Sequence, residues 1–234
     1  MFNKRHIVRT IAATVSILAL SFTAACGSGQ STASNSTDSD DITQQTYKPG
    51  KLTIATGQPA YEPWVMNDKP ESGEGYEAAV AYAVADKLGF KKSDVVWTRT
   101  AFDTAIAPGA KDWDFNIQQF GITDERKKAV DFSSSYYNDS QSVVVKKDSK
   151  FANATKVSDL KDATVGVMVG TLAYDYAKAN IKDDIQTFND DAALAQALDA
   201  GQIDALVTST VECVYMVQSE QVKDAKVPLT CSDC

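Results

Sequence analysis

Between Leu52 and Val207, short runs of strand-forming apolar residues alternate with segments of helical spacing. Leu52-Thr53-Ile54-Ala55-Thr56 reads as a strand. Tyr76 to Leu88 reads as a helix: Val80, Val84 and Leu88 recur at helical spacing, and Gly89 ends it. Further strands are expected at 94–98, 115–120, 142–145, 165–169, 185–188 and 203–207. Helices are expected from Phe102, Leu172 and Ala192, with a helical turn over 157–160. This alternation confines the folded part to the α/β class with mostly parallel sheets. The pattern restarts after about Ser142, so two small lobes are expected, 51–141 and 142–234.

The N-terminal end reads differently. Lys4, Arg5 and Arg9 precede an apolar run from Ile11 to Phe22, too short to span a bilayer, and then Thr23-Ala24-Ala25-Cys26. This is a signal peptide over 1–26, and a cysteine after two alanines resembles a bacterial lipobox with Cys26 as the acylated residue. Ordinary cleavage nearby and an uncleaved anchor are the alternatives. Residues 27–50 begin in Ser, Thr, Gly, Asn and Asp and read as a flexible tether that ends at the turn-forming Tyr47-Lys48-Pro49-Gly50. An exported, lipid-anchored protein on the outer face of the cell membrane is expected.

Charge and composition then narrow the chemistry. The net charge is −8, and losing the three cations of the signal makes it −11. Nucleic acid and anionic lipid headgroups are poor partners for such a chain. The only histidine, His6, lies in the signal, so the mature chain has none for a Ser-His-Asp triad, a Cys-His pair or a zinc site. Cys231-Ser232-Asp233-Cys234 lacks the context of a zinc or redox motif, and no metal or cofactor is expected.

The stretch Asp114 to Arg126 is the best candidate site. An apolar run ends at Gly121, Thr123 can cap a helix start, and Asp124 and Glu125 suit its first turn. Arg126 in that same turn opposes the helix dipole. A guanidinium fork aimed at a carboxylate explains it; a solvated surface arginine is the alternative. Gly170-Thr171, at a strand end where a helix begins, is a second anion-site candidate, or a plain tight turn.

Several segments in register carry a family resemblance over about 51–207. They are Ala60-Tyr61-Glu62-Pro63-Trp64, Gly75-Tyr76-Glu77, Phe102-Asp103, Ile122-Thr123-Asp124-Glu125-Arg126, Val130-Asp131-Phe132-Ser133, Val165-Gly166-Val167 with Gly170-Thr171, and Ala200-Gly201-Gln202-Ile203-Asp204-Ala205. The chain resembles the bacterial extracellular solute-binding proteins of family 3, the amino-acid receptors of ABC importers. The resemblance implies a type II, two-lobe, periplasmic-binding-protein-like fold. It implies a monomer that closes on a polar amino acid and delivers it to a permease of the cytoplasmic membrane. It also implies that Arg126 pairs with the ligand carboxylate and that backbone N–H groups near Gly121, Gly170, Thr171 and Leu172 complete the anion site. By the same resemblance Tyr61 and Phe102 sandwich the ligand side chain, Trp64 lies close by, and Gln118 and Gln119 touch the ligand. Phe102 and Trp64 as plain core is the alternative.

Three departures stand out. Gly121 replaces a hydroxyl residue. Gln58 stands where receptors for basic amino acids carry Asp. Ser209 stands where the family places the Asp that holds the ligand ammonium, with Glu212 nearby as a substitute. Family members also continue past the end of this chain, and the tail 209–234 matches no part of the pattern. A truncated receptor with an unpaired sheet edge is therefore one expectation. An enzyme of the dehydratase kind on the same scaffold is another, with Glu62, Asp103 and Asp114 as its possible acids and bases.

Overall fold

The computed structural model describes residues 41–231. The signal segment, Cys26, the tether up to residue 40 and Cys234 lie outside the described residues. Residues 41–50, expected as the end of the tether, carry local structure. Ile42–Gln44 forms a 3-10 turn capped by the Asp41 side chain, and Lys48 pairs with Lys51 in an isolated bridge. The Asp114 carboxylate pins this segment, accepting from the backbone N–H of Tyr47 and, at 2.7 Å, of Thr53.

Two sheets form. The first holds β1 (Leu52–Gly57) at its centre, with β2 (Val95–Thr100) and β3 (Phe115–Asn116) on either side, all parallel. β1 is buried along its whole length, as a central parallel strand covered on both faces must be. The second sheet runs β6-β5-β7-β4-β8. Its members are β4 (Gln141–Lys146), β5 (Val165–Met168), β6 (Gln186–Phe188), β7 (Ala205–Ser209) and β8 (Ala225–Cys231). β5, β6 and β7 are parallel, whereas β4 is antiparallel to both of its neighbours. The expectation of mostly parallel pairing thus holds for the first sheet only. Helices α1 (Tyr76–Lys87) and α2 (Phe102–Ile106) accompany the first sheet in the chain, and α3 (Leu172–Asn180), α4 (Asp191–Asp199) and α5 (Thr210–Gln218) the second. Val143, Val165 and Val207 pack into one core of the second sheet and Val144, Leu194 and Leu206 into another.

The tail, which matches no part of the family pattern in the sequence, forms regular structure. Ser209 caps α5, its Oγ accepting from Glu212 N–H at 3.2 Å, and β8 then covers the outer edge of β4. The strand expected to be missing belongs to the first sheet, which runs β2-β1-β3 and leaves β3 at its edge. Pro228 is tolerated because the β4–β8 register shifts between Val143 and Val145, so the missing N–H falls on an edge strand beside an irregularity.

α1 is built on alanine rather than valine. Ala78, Ala81 and Ala85 are fully buried, while Val80, Val84 and Leu88 flank the core. Gly75 makes this approach possible. Its φ is +101°, and a Cβ there would lie 2.5 Å from the Trp64 carbonyl oxygen. No side chain fits that gap without moving backbone.

Candidate functional site

Between the two sheets lies a cavity of about 540 Å³. The first sheet contributes Gly57, Tyr61, Trp64, Phe102 and Gln118–Gly121 to its lining; the second contributes Met168, Thr171, Leu172, Asp191, Thr208 and Glu212. The segment 133–139, which carries the chain from one sheet to the other, supplies the remaining wall. The cavity sits at the carboxyl ends of β1, β5 and β7, where open α/β sheets bind ligands.

Arg126 reaches this cavity from a 3-10 turn, Arg126–Lys128. Thr123 does cap the turn, its Oγ1 accepting from Arg126 N–H at 3.1 Å, but no α-helix follows. The guanidinium donates through Nη1 to Gly121 O at 2.9 Å and through Nη2 to Gly170 O at 2.8 Å, so it bridges the two sheets' loops. Two of its five N–H groups are thereby used, and the rest of the fork is available. Its carbon lies 5.7 Å and 5.6 Å from the ring centres of Phe102 and Phe120, which stack on each other at 4.1 Å. Burial lowers its pKa, and Asp175 opposes that shift; an arginine remains charged throughout the physiological range.

Next to it starts α3. Thr171 caps that helix, accepting from Tyr174 N–H at 3.2 Å and donating to Met168 O at 2.7 Å. Thr171 and Leu172 line the cavity; Gly170 does not, and acts through its carbonyl. A helix N-terminus beside a guanidinium makes this end of the cavity electropositive. Gly121 matters for space: a Cβ there would come within 2.3 Å of Leu172 Cδ1 across the gap between the sheets.

The remaining expected residues converge on the same place. Tyr61, Trp64, Phe102, Gln118 and Gln119 all line the cavity. Phe102 stacks on Phe120. Burial raises the Tyr61 phenol's pKa, and Asp190 adds to the rise. Trp64 is buried and packs edge-on against Tyr76 at 6.0 Å and Tyr137 at 5.3 Å, so it serves both core and cavity. The expected strand 115–120 stops at Asn116, because the chain turns away and Gln119 adopts a φ of +52°. Gln58 is exposed and does not line the cavity. Of the acids weighed for catalysis, Asp114 is tied to backbone N–H groups, and Glu62 accepts from Asn67 N–H at 2.7 Å and from the Tyr215 hydroxyl across the gap.

Three residues were missed. Phe120 was read as the end of a strand. Glu77, quoted only as part of a motif, is wholly buried and accepts from Gln119 N–H at 2.8 Å, from the Gln119 amide and from the Tyr136 hydroxyl. Asp191, just before the helix expected from Ala192, lines the cavity; the capping is done by Asp190, whose carboxylate accepts from Ala193 N–H at 2.8 Å. An extra acid beside a sufficient cap was the one available signal.

Residues 52–207 match the family model described as bacterial extracellular solute-binding proteins, family 3. The L-cystine-binding protein TcyJ of Escherichia coli strain K12 is 31% identical over 160 residues, 68% of this chain and 59% of that protein. The chain thus spans less than two thirds of that relative. A glutamine-binding protein of Geobacillus stearothermophilus is 32% identical over 225 residues, 88% of this chain and 82% of that one. Among solved structures, an ancestral arginine-binding protein bound to glutamine superposes with a TM-score of 0.64 at 31% identity, covering 77% of this chain and 78% of that one.

Proposed function

The chain belongs to the bacterial extracellular solute-binding proteins, family 3, and from that premise we propose that it captures a polar amino acid between its two sheets and delivers it to an ABC permease. The observation that carries this reading is Arg126. It is a half-buried guanidinium in the inter-sheet cavity, beside the start of a nine-residue helix and touching the loops of both sheets. That arrangement suits a carboxylate taken up as the sheets close, with Gly121, Gly170, Thr171 and Leu172 around it. Tyr61, Trp64, Phe102 and Phe120 supply apolar surface for the rest of the molecule, and Gln118 and Gln119 supply amides. The named relatives bind amino acids by their descriptions, which favours binding over an enzyme.

Export, lipid anchoring at Cys26 and action as a monomer complete the reading. The tripartite N-terminal pattern supports the first two. Among the described residues no helix is long and apolar enough to cross a membrane.

Calorimetric titration of L-cystine, L-arginine, L-glutamine and L-histidine tests the assignment. Arg126→Ala should weaken whichever binds by about tenfold or more, since a charge-assisted fork contributes about 1.5–3 kcal/mol. Arg126→Lys should restore only part, because the bidentate geometry is lost. Unchanged affinity in the alanine variant would refute the role.

A further inference from the structure

No apolar core is shared by the two sheets: each apolar cluster among the described residues draws on one sheet and its accompanying segments alone. Polar contacts bridge the gap instead. Arg126 to Gly170 is one such hydrogen bond, and it starts inside the cavity. Tyr215 to Glu62 is another, between residues 153 apart in the sequence. Glu62 stands on the loop after β1, between Tyr61 and the Pro63-Trp64 pair, and Tyr215 is on α5. Tyr61, Trp64 and Glu212 beside them line the cavity, but Glu62 and Tyr215 do not. Tyr215 borders an outer groove instead, with Pro63, Tyr137, Asp139 and Val214. The bond therefore lies next to the site without facing whatever fills it.

Each partner is aimed from its own side. Glu62 Oε1 accepts from Asn67 N–H at 2.7 Å, which leaves Oε2 for the tyrosine. Tyr215 is carried by α5, where Cys213 and Met216 are buried in the core of the second sheet. The Tyr215 hydroxyl and the Asn67 N–H hold the Glu62 carboxyl below the usual carboxylate range, so it is an ionised acceptor at neutral pH. Fixing both groups in advance cuts the entropy lost when they meet. Because the bond joins two bodies with separate cores, its free energy favours their approach rather than the stability of either. We propose that Glu62 and Tyr215 form a latch that favours the closed arrangement of the two sheets whether or not the cavity is filled. The latch differs in kind from Arg126. A carboxylate entering the cavity must share the Arg126 fork, whereas nothing in the cavity competes for Glu62. A contact made only on closure multiplies the closed-to-open ratio. For a charge-assisted hydrogen bond between half-buried groups that factor is about three to ten. Losing it lowers the affinity for every ligand by one common factor, no larger than that.

Two arms test the latch on the full chain. In the first, double electron–electron resonance without amino acid measures the separation of the sheets. Nitroxides are placed at Asp86→Cys and Ala179→Cys, exposed positions on α1 and α3. A Cys26→Ala, Cys234→Ser background leaves only the buried Cys213 and Cys231 as native thiols. Tyr215→Phe, which keeps the ring, and Glu62→Ala should each lower the closed-to-open ratio by about three- to tenfold. The double variant should lose no more than the larger single effect, because both changes break the same bond. In the second arm, L-cystine, L-arginine, L-glutamine and L-histidine are titrated into the same variants without labels. Those that bind should all weaken by one common factor of at most about ten, carried by faster release. An unchanged distance distribution overturns the proposal, as do single effects that add in the double variant, or a factor that differs between ligands. If no amino acid binds wild type, the amino-acid reading falls and the distance distributions alone decide the latch.

Discussion

Glu77 is where protonation should be felt most in the fold. Its carboxylate is wholly buried at the start of α1 and ties the cavity wall, through Gln119, to the connecting segment, through Tyr136. Burial outweighs these three donors and raises its pKa from 4.5 to about 7, with a small further push from Glu212. A carboxyl whose folded value lies above its unfolded value holds more protons when folded. Its contribution to stability is therefore most favourable below about pH 4.5 and is lost progressively as pH rises to about 7. At about 1.36 kcal/mol per unit, the loss is on the order of 3 kcal/mol. Glu77→Gln removes the titration but places an N–H₂ donor against the donors of Gln119 and Tyr136, a cost of about 1–3 kcal/mol at every pH. The variant should be clearly less stable than wild type at about pH 4.5, and the gap should close by on the order of 3 kcal/mol at about pH 7.5. Urea unfolding of both proteins across this range measures it, and titrating groups common to both that do not act on Glu77 cancel in the difference. Parallel pH profiles would refute the reasoning, since they would mean that Glu77 does not change charge in this window.

Two further outcomes are expected. Gly75→Ala must accommodate both a φ of +101° and a Cβ 2.5 Å from the Trp64 carbonyl oxygen, so it should cost about 3 kcal/mol or more, read as a lowered urea midpoint; a loss below about 1 kcal/mol would show that the Trp64 backbone yields easily. Cys26→Ala should abolish incorporation of radiolabelled palmitate and leave the protein in the medium or as precursor, whereas a lipid-labelled, membrane-bound variant would exclude this cysteine as the anchor.

Much of the architecture was legible because it rests on local patterns. Thr171 and Asp190 each accept a hydrogen bond from an N–H three residues on, and the apolar runs 52–56 and 165–168 had to be strands buried on both sides. The site was legible where one segment holds it, as at Arg126 with its Thr123 cap. Reading failed where the outcome depended on a distant partner. The strand at 115–120 was cut short because Gln119 is claimed by Glu77, 42 residues earlier. The tail became β8 because β4 offered an unpaired edge with an irregularity that a proline can occupy.

Arg126 shows the same division within one side chain. The sequence by itself determined that a cation would stand in a turn after a strand end, and that the chain would be α/β with a carboxylate-binding candidate there. Only the tertiary structure decided that its two donors would reach Gly121 on one side and Gly170 on the other, and that Asp191 and Glu212, 21 residues apart in the sequence, would share the cavity with it. The physical reason is range. Periodicity and capping act over a few residues, whereas burial and the pairing of charges are fixed only when separate segments are packed together.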